Sequence, residues 1–416
     1  NLPLAQVLSK AGKTQFHCAE SEKFQHVTYF LNGGNNDPFA GETDICIPSP
    51  KGVSFDKVPH LSLPEVAKTV EEALGGYDFI VVNFANGDVI GHTSSTEAKL
   101  EACKAVSSNL ENVVTKALKH DYVVIVTADH GNIEKLYTKN GTPDVAHTTS
   151  LVPFIILDPD NPGEMIPLRD GSLYDVAPTI LDIMGIERPA QMTGNTLTGD
   201  RDWGINRKVL LVILDGWGLG SGDDNDAIFL ASTPYWDSLV SRFSWCRLNA
   251  SGTYVGLAPG KAGNSEAGHL NLGAGRCVIQ DDIRIDKAIE DGSFEENPVL
   301  LRSIRKARGK DNALHLITYL TYKSSHGSMD YAVAVAKMAK AHNVRNVCLH
   351  IIFDGRSTEP GSAPQLLMDL ENKLQNIGTG YIVDGIGRGF ALDRDRNYER
   401  VKQAYDMMVE GKGIAY

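Results

Sequence analysis

Five short, almost wholly apolar runs punctuate the chain: Phe79–Phe84 (FIVVNF), Tyr122–Thr127 (YVVIVT), Pro153–Leu157 (PFIIL), Val209–Leu214 (VLLVIL) and Val347–Phe353 (VCLHIIF). Runs this short without polar alternation suit strands covered on both faces, the condition of a parallel sheet. Helical patterns lie between them. In SLPEVAKTVEEAL, Ser62 reads as an N-cap, Pro64 as a first-turn residue and Glu65 as the partner in a capping box. Residues 95 to 120 form a long amphipathic stretch, and Tyr174 to Met184 form another that Gly185 closes. Strand and helix alternate, so the expected class is α/β, a mostly parallel sheet with helices on both faces plus a smaller α/β domain. The irregular stretch MTGNTLTGDRDWGINRK, residues 192 to 208, reads as a surface connection, and a second boundary is expected near Gln280 to Ala288.

The residues that trail the apolar runs are chemically unusual. FIVVNF leads into Asp88 and His92, YVVIVT into Asp129 and His130, and VLLVIL directly into Asp215, while His147 precedes PFIIL. Ligands gather at the carboxyl ends of strands in open α/β sheets. If these strands are neighbours, three aspartates and three histidines share one rim, a ligand set suited to a pair of divalent transition ions. An aspartate at a strand end is ordinarily a turn or cap residue, and a lone histidine is ordinarily structural; it is the joint pattern that points to metal. If a helical turn starts there, the spacing of four puts Asp88 and His92 on one face. PGKAGNSEAGHLNLGAGR, residues 259 to 276, adds Ser265 between glycines, where backbone amides can approach an anion. A serine beside a metal ion can lose its proton and attack phosphorus.

The formal charge of −12 argues against a nucleic acid or a membrane surface as partner, so an anionic substrate needs a local basic pocket. No apolar run approaches the ~20 residues of a membrane span, and the first residues carry no signal-peptide core, which leads to the expectation of a cytoplasmic protein. Six cysteines without a CxxC pair indicate neither a disulfide framework nor a zinc ribbon; buried free thiols are expected.

The segments VILDGWG, GNSEAGHLNLGAGR, HVTYFLNGG, IPSPK, TADHGN and AHTTSLVPFIIL together resemble the cofactor-independent phosphoglycerate mutases of the alkaline phosphatase superfamily. The resemblance implies two metal ions, with manganese expected and zinc or cobalt also suited, and no 2,3-bisphosphoglycerate. Asp88, His92 and His147 would hold one ion, and Asp129, His130, Asp215 and Ser265 the other. It also implies a phosphoserine intermediate on Ser265 in the interconversion of 3-phosphoglycerate and 2-phosphoglycerate. The substrate, a small phosphorylated carboxylic acid, would be handled by Lys23 at the domain interface and by His326, Arg356, Arg388 and Arg394 of the second domain. Arginine forks suit such anions. The implied organisation is a phosphatase-like domain in two parts, 1–195 and 206–283, and a phosphotransferase domain, 284–416, in a monomer.

The chain departs from the family pattern in order and in detail. The TADHGN half precedes VILDGWG, so the chain reads as circularly permuted, joined near residues 196 to 206. The family's segment resembling NFRSDR has no counterpart, and part of the second domain is expected to be missing. Ser357 stands where the family has an acidic residue after DGR, and the Gly-Gly-Val-His-Ser-His pattern is reduced to KSSHGS. Serine cannot replace a carboxylate as acid or base at neutral pH. The alternative these departures favour is a metal-dependent phosphohydrolase, or a transferase acting on another small phosphorylated or phosphonate acid.

Overall fold

A computed structural model describes residues 2–162, 165–324, 327–355, 358–393 and 396–414. The chain divides into two compact units, Asn1–Gln280 and Asp281–Tyr416. Strands in chain order are β1 (Gln15–Glu20), β2 (Glu42–Ile47), β3 (Phe79–Phe84), β4 (Tyr122–Thr127), β5 (Val152–Leu157), β6 (Gly171–Ser172), β7 (Lys208–Leu214) and β8 (Trp245–Asn249) in the first unit, and β9 (Ala313–Leu320), β10 (Asn346–Phe353) and β11 (Tyr381–Gly387) in the second.

The first unit holds an eight-stranded sheet ordered β2-β1-β3-β7-β4-β5-β8-β6. From β2 to β4 all neighbours run parallel. β5 departs from the parallel reading of its apolar run: it pairs antiparallel with both β4 and β8. Its uniform apolarity reflects burial of every residue, which a sheet covered on both faces imposes whatever the strand direction. The helices Leu63–Ala73 and Thr96–Lys119 pack against each other, and Ser265–Ala274 packs on the turn at His26–Phe30.

Ser95 caps the long helix by accepting from the Ala98 amide at 3.2 Å. The capping box expected at Ser62 is absent, because its hydroxyl donates instead to Pro48 O at 2.7 Å. The stretch from 192 to 208 is more than a surface connection: Met192, Leu197 and Trp203 enter the core, and Arg201 and Arg207 pair with Asp158. Of the cysteines, Cys18, Cys103, Cys246 and Cys348 are buried, whereas Cys46 is exposed and Cys277 half-buried, and among the described residues none forms a disulfide.

The second unit is a parallel three-stranded sheet, β11-β10-β9, with helices including Met329–Ala341 and Ala363–Ile377 packed around Val347, Leu349, Ile351, Leu366 and Leu370. Among the described residues no helix is long and apolar enough to cross a membrane.

Candidate metal centre

Four adjacent strands, β1, β3, β7 and β4, deliver the chemistry to one rim. Three residues beyond β1 comes Lys23. Beyond β3 a short helix, Asn86–Gly91, starts with Asp88 in its first turn and is followed by His92. β7 is followed by Asp215, and β4 by Asp129 and His130. The β3 and β7 ends approach closely because Gly216 takes a left-handed φ of 72° and has no side chain; a Cβ there would lie 2.6 Å from the Asp88 amide nitrogen.

Ser265 is the first residue of the helix Ser265–Ala274. Asn264 caps this helix by accepting from the Ala267 amide at 2.8 Å. A helix N-terminus presents unpaired amides and positive potential, so the serine sits where an anion is favoured.

The side chains converge tightly. Lys23 Nζ donates to Asp88 Oδ2 at 2.6 Å, to Asp215 Oδ1 at 2.7 Å and to Ser265 Oγ at 2.7 Å. His130 Nε2 lies 3.0 Å from Ser265 Oγ, 3.5 Å from Asp215 Oδ1 and 3.6 Å from Asp129 Oδ2. His147 Nε2 lies 2.9 Å from Asp88 Oδ1 and 3.0 Å from His92 Nε2, which is itself 3.3 Å from Asp88 Oδ1. At this rim two overlapping clusters that share His130 could hold an ion: Asp88, His130 and His147, and Asp129, His130 and Asp215.

The imidazoles are oriented for ligation. His92, His130 and His147 each turn Nδ1 to a backbone carbonyl, those of Val145 (2.7 Å), Gly131 (3.2 Å) and Gly263 (2.8 Å). A carbonyl only accepts, so Nδ1 carries the proton in all three rings. Each Nε2 is then left to face carboxylates, the arrangement found around metal-bound histidine. Among the described residues buried Asp129 Oδ2 has no hydrogen-bond donor; His269 Nδ1 lies 3.2 Å away but directs its proton to Ser265 O at 2.9 Å. Bare acceptors this close repel one another unless a cation or proton lies between them. The residues therefore fit a pair of divalent ions.

Protons supply part of that charge in the metal-free chain. Burial works against charge on Lys23, but Asp215, Asp88 and Asp129 hold its ammonium well above the usual range. Burial also works against charge on His130, yet Asp129, Asp215 and Asp88 carry it up to about 10. Burial would raise Asp215, but Lys23 and His130 hold it well below the usual carboxylate range. Asp88 is lowered likewise, burial being outweighed by Lys23 and the imidazoles.

All eight expected residues of the first unit thus meet at one place: Lys23, Asp88, His92, Asp129, His130, His147, Asp215 and Ser265. Arg388 lies in the second unit, where it pairs with Asp354 Oδ1 at 2.7 Å. His326, Arg356 and Arg394, and the substituted position Ser357, lie outside the described residues. Sequence reading missed Asn83, whose Nδ2 donates to Asp215 Oδ2 at 2.7 Å and lies 3.0 Å from His269 Nε2. It also missed His269 and Asn132. Asn83 is the one polar residue in FIVVNF, and His269 stands four positions after Ser265; both were legible as anomalies.

Comparison with protein families matches residues 2–188 to the metalloenzyme superfamily and residues 285–415 to the BPG-independent PGAM N-terminus. The chain is thus similar in one part to the metalloenzyme superfamily and in another to the N-terminal part of BPG-independent phosphoglycerate mutases. The family's N-terminal part stands C-terminal here, consistent with the permuted order expected from sequence. A 2,3-bisphosphoglycerate-independent phosphoglycerate mutase of Flavobacterium psychrophilum is 48% identical over 202 residues, 47% of this chain and 38% of that relative. One from Akkermansia muciniphila is 47% identical over 193 residues, 46% of this chain and 37% of the relative. These matches span less than two-fifths of the relatives' own length. A crystal structure of Leishmania mexicana phosphoglycerate mutase at low cobalt concentration aligns at 30% identity and a TM-score of 0.41, over 47% of this chain and 38% of that one.

Proposed function

We propose that the chain interconverts 3-phosphoglycerate and 2-phosphoglycerate by metal-dependent phosphoryl transfer through Ser265. The carrying observation is the setting of Ser265 Oγ, a buried hydroxyl at a helix N-terminus, 2.7 Å from Lys23 Nζ and 3.0 Å from His130 Nε2. In this reading Asp88, His92 and His147 hold one ion and Asp129, His130 and Asp215, with Ser265, hold the other; manganese is the ion proposed, and zinc or cobalt would also suit the donors. Bound there, the ions lower the serine pKa and offset phosphoryl charge.

The residues of the chain then divide the work. Ser265 gives up its hydroxyl proton as Oγ attacks phosphorus; the bond from phosphorus to the glycerate oxygen breaks, and that oxygen takes up one proton and leaves as a hydroxyl, so no net proton is gained or lost. Lys23 follows the charge from the serine to the phosphoryl oxygens, since its ammonium already reaches Oγ. The neighbouring glycerate hydroxyl attacks the phosphoserine, restoring Ser265. His326, Arg356, Arg388 and Arg394, together with Lys23, are assigned to holding the glycerate. Ser357, in place of an acidic residue, favours a second reading in which water is the acceptor and the product is free phosphate.

Mass spectrometry of manganese-loaded protein quenched with 3-phosphoglycerate tests the intermediate. Phosphate on Ser265 is expected, and Ser265→Ala should remove it while two ions remain bound. Phosphoenzyme persisting in Ser265→Ala would rule out the nucleophile assigned here.

A further inference from the structure

Glu134, four residues after His130, is buried yet lies outside both ligand clusters. Its Oε2 accepts from the Asn132 amide at 2.7 Å and the Gly218 amide at 3.1 Å, and its Oε1 accepts from the Thr148 hydroxyl. Those three donors belong to three different ligand-bearing loops. Asn132 follows Asp129 and His130, Gly218 follows Asp215, and Thr148 follows His147.

Room for the carboxylate is made by glycine. A Cβ on Gly218 would lie 2.4 Å from the Glu134 Cδ, and one on Gly131 would lie 2.5 Å from Oε1. The same segments also meet through backbone bonds, Ile133 N to Gly216 O at 3.0 Å and Thr148 N to Gly131 O at 2.9 Å. Asn132, fixed by Glu134 at its amide, extends Nδ2 to Asp88 Oδ1 at 3.3 Å and so reaches the fourth ligand loop. A buried carboxylate is tolerated only when its oxygens are saturated, and bonds to a charged acceptor are stronger than neutral ones.

We propose that Glu134 is a positioning residue for the metal pair, its carboxylate locking the loops of Asp129 and His130, of Asp215 and of His147 into one frame. This rests on the metal-dependent reading above. Ligand carboxylates and imidazoles keep the spacing two ions need only while those loops keep theirs, and outer-shell partners of this kind change metal affinity by about 10- to 100-fold.

The test is a titration of the metal-free full chain with Mn2+, free ion and Mn–Mn coupling being read by electron paramagnetic resonance, alongside metal-free melting. The unsubstituted chain should bind two ions with a coupled spectrum. Glu134→Ala should weaken both by about 10- to 100-fold and change the coupling. Glu134→Gln should recover most of the loss, its carbonyl accepting from Asn132 and Gly218 and its amide turning to Thr148 Oγ1. A merely structural role would lower metal-free melting without separating the two variants in coupling.

Two coupled ions with unchanged affinity in Glu134→Ala, or Glu134→Gln as weak as Glu134→Ala, overturns the proposal. If Glu134→Ala does not fold, Thr148→Val replaces it, with weakening expected at the ion held by His147 and unchanged affinity counting against the proposal. Failure of the unsubstituted chain to bind Mn2+ overturns the metal-dependent reading itself and removes what Glu134 would position.

Discussion

Replacing Lys23 with methionine isolates what holds the metal-free site together. Lys23 Nζ touches Asp88 and Asp215 at 2.6 and 2.7 Å, with the lysine side chain 5% exposed. At an effective dielectric near 20, each such contact is worth about 6 kcal/mol gross. Desolvation cancels much of that, but deleting one partner leaves buried carboxylates uncompensated, which costs about 3–5 kcal/mol. For a unit of this size that is a fall of roughly 6 to 20 °C in the melting of the first unit. The assay is calorimetry in chelator, repeated with saturating Mn2+. The ions replace the lost ammonium, so the gap between Lys23→Met and the unsubstituted chain should shrink sharply once metal is added. A Lys23→Met chain melting as the parent does in chelator would refute the carboxylate trap, and an unchanged gap with Mn2+ would refute the claim that metal occupies it.

Two further outcomes concern a buried carboxyl and the metal itself. Burial pushes Glu20 up to about 7, against hydrogen bonds from Ser49 and the Ser62 amide that lower it. A raised folded pKa means that stability present below about 4.5 is lost as pH rises through 7, and Glu20→Gln should flatten that part of a melting-versus-pH curve; an identical slope would contradict the burial reading. Chelation of the loaded protein should lower its melting temperature, by about 3 kcal/mol of linkage at a hundredfold excess of ion over the dissociation constant. Indistinguishable loaded and chelated scans would argue against a native metal site.

The strands β3, β4, β7 and β10 were legible because nothing polar interrupts them except Asn83 and His350, and the sheet then brought their trailing ligands together. β1 was not legible. Its QFHCAE pattern looks like a half-exposed segment, yet Gln15, His17 and Glu20 are all buried, with Gln15 donating to Ala5 O at 2.9 Å and His17 Nδ1 lying 2.8 Å from Val27 O. Polar residues satisfied by distant backbone leave no periodic trace. β11 hides for another reason: YIVDGIG is a half-exposed edge strand with two glycines, and its Asp384 is bonded by the His350 side chain at 2.8 Å. Ser62 failed as a cap because a carbonyl fourteen residues earlier captured its hydroxyl. In the site, the candidate ligands stood out by type and place and Asn83 and His269 as polar anomalies, whereas Glu134 acts through contacts to Asn132, Gly218 and Thr148 that exist only once their loops meet.

Phosphorus NMR of the manganese-loaded chain with 3-phosphoglycerate, following 2-phosphoglycerate and free phosphate together, decides whether this centre runs a mutase. Growth of 2-phosphoglycerate without free phosphate is the predicted result. Free phosphate alone, or an unchanged spectrum, would contradict a mutase and show that the metal centre serves another acceptor or another substrate.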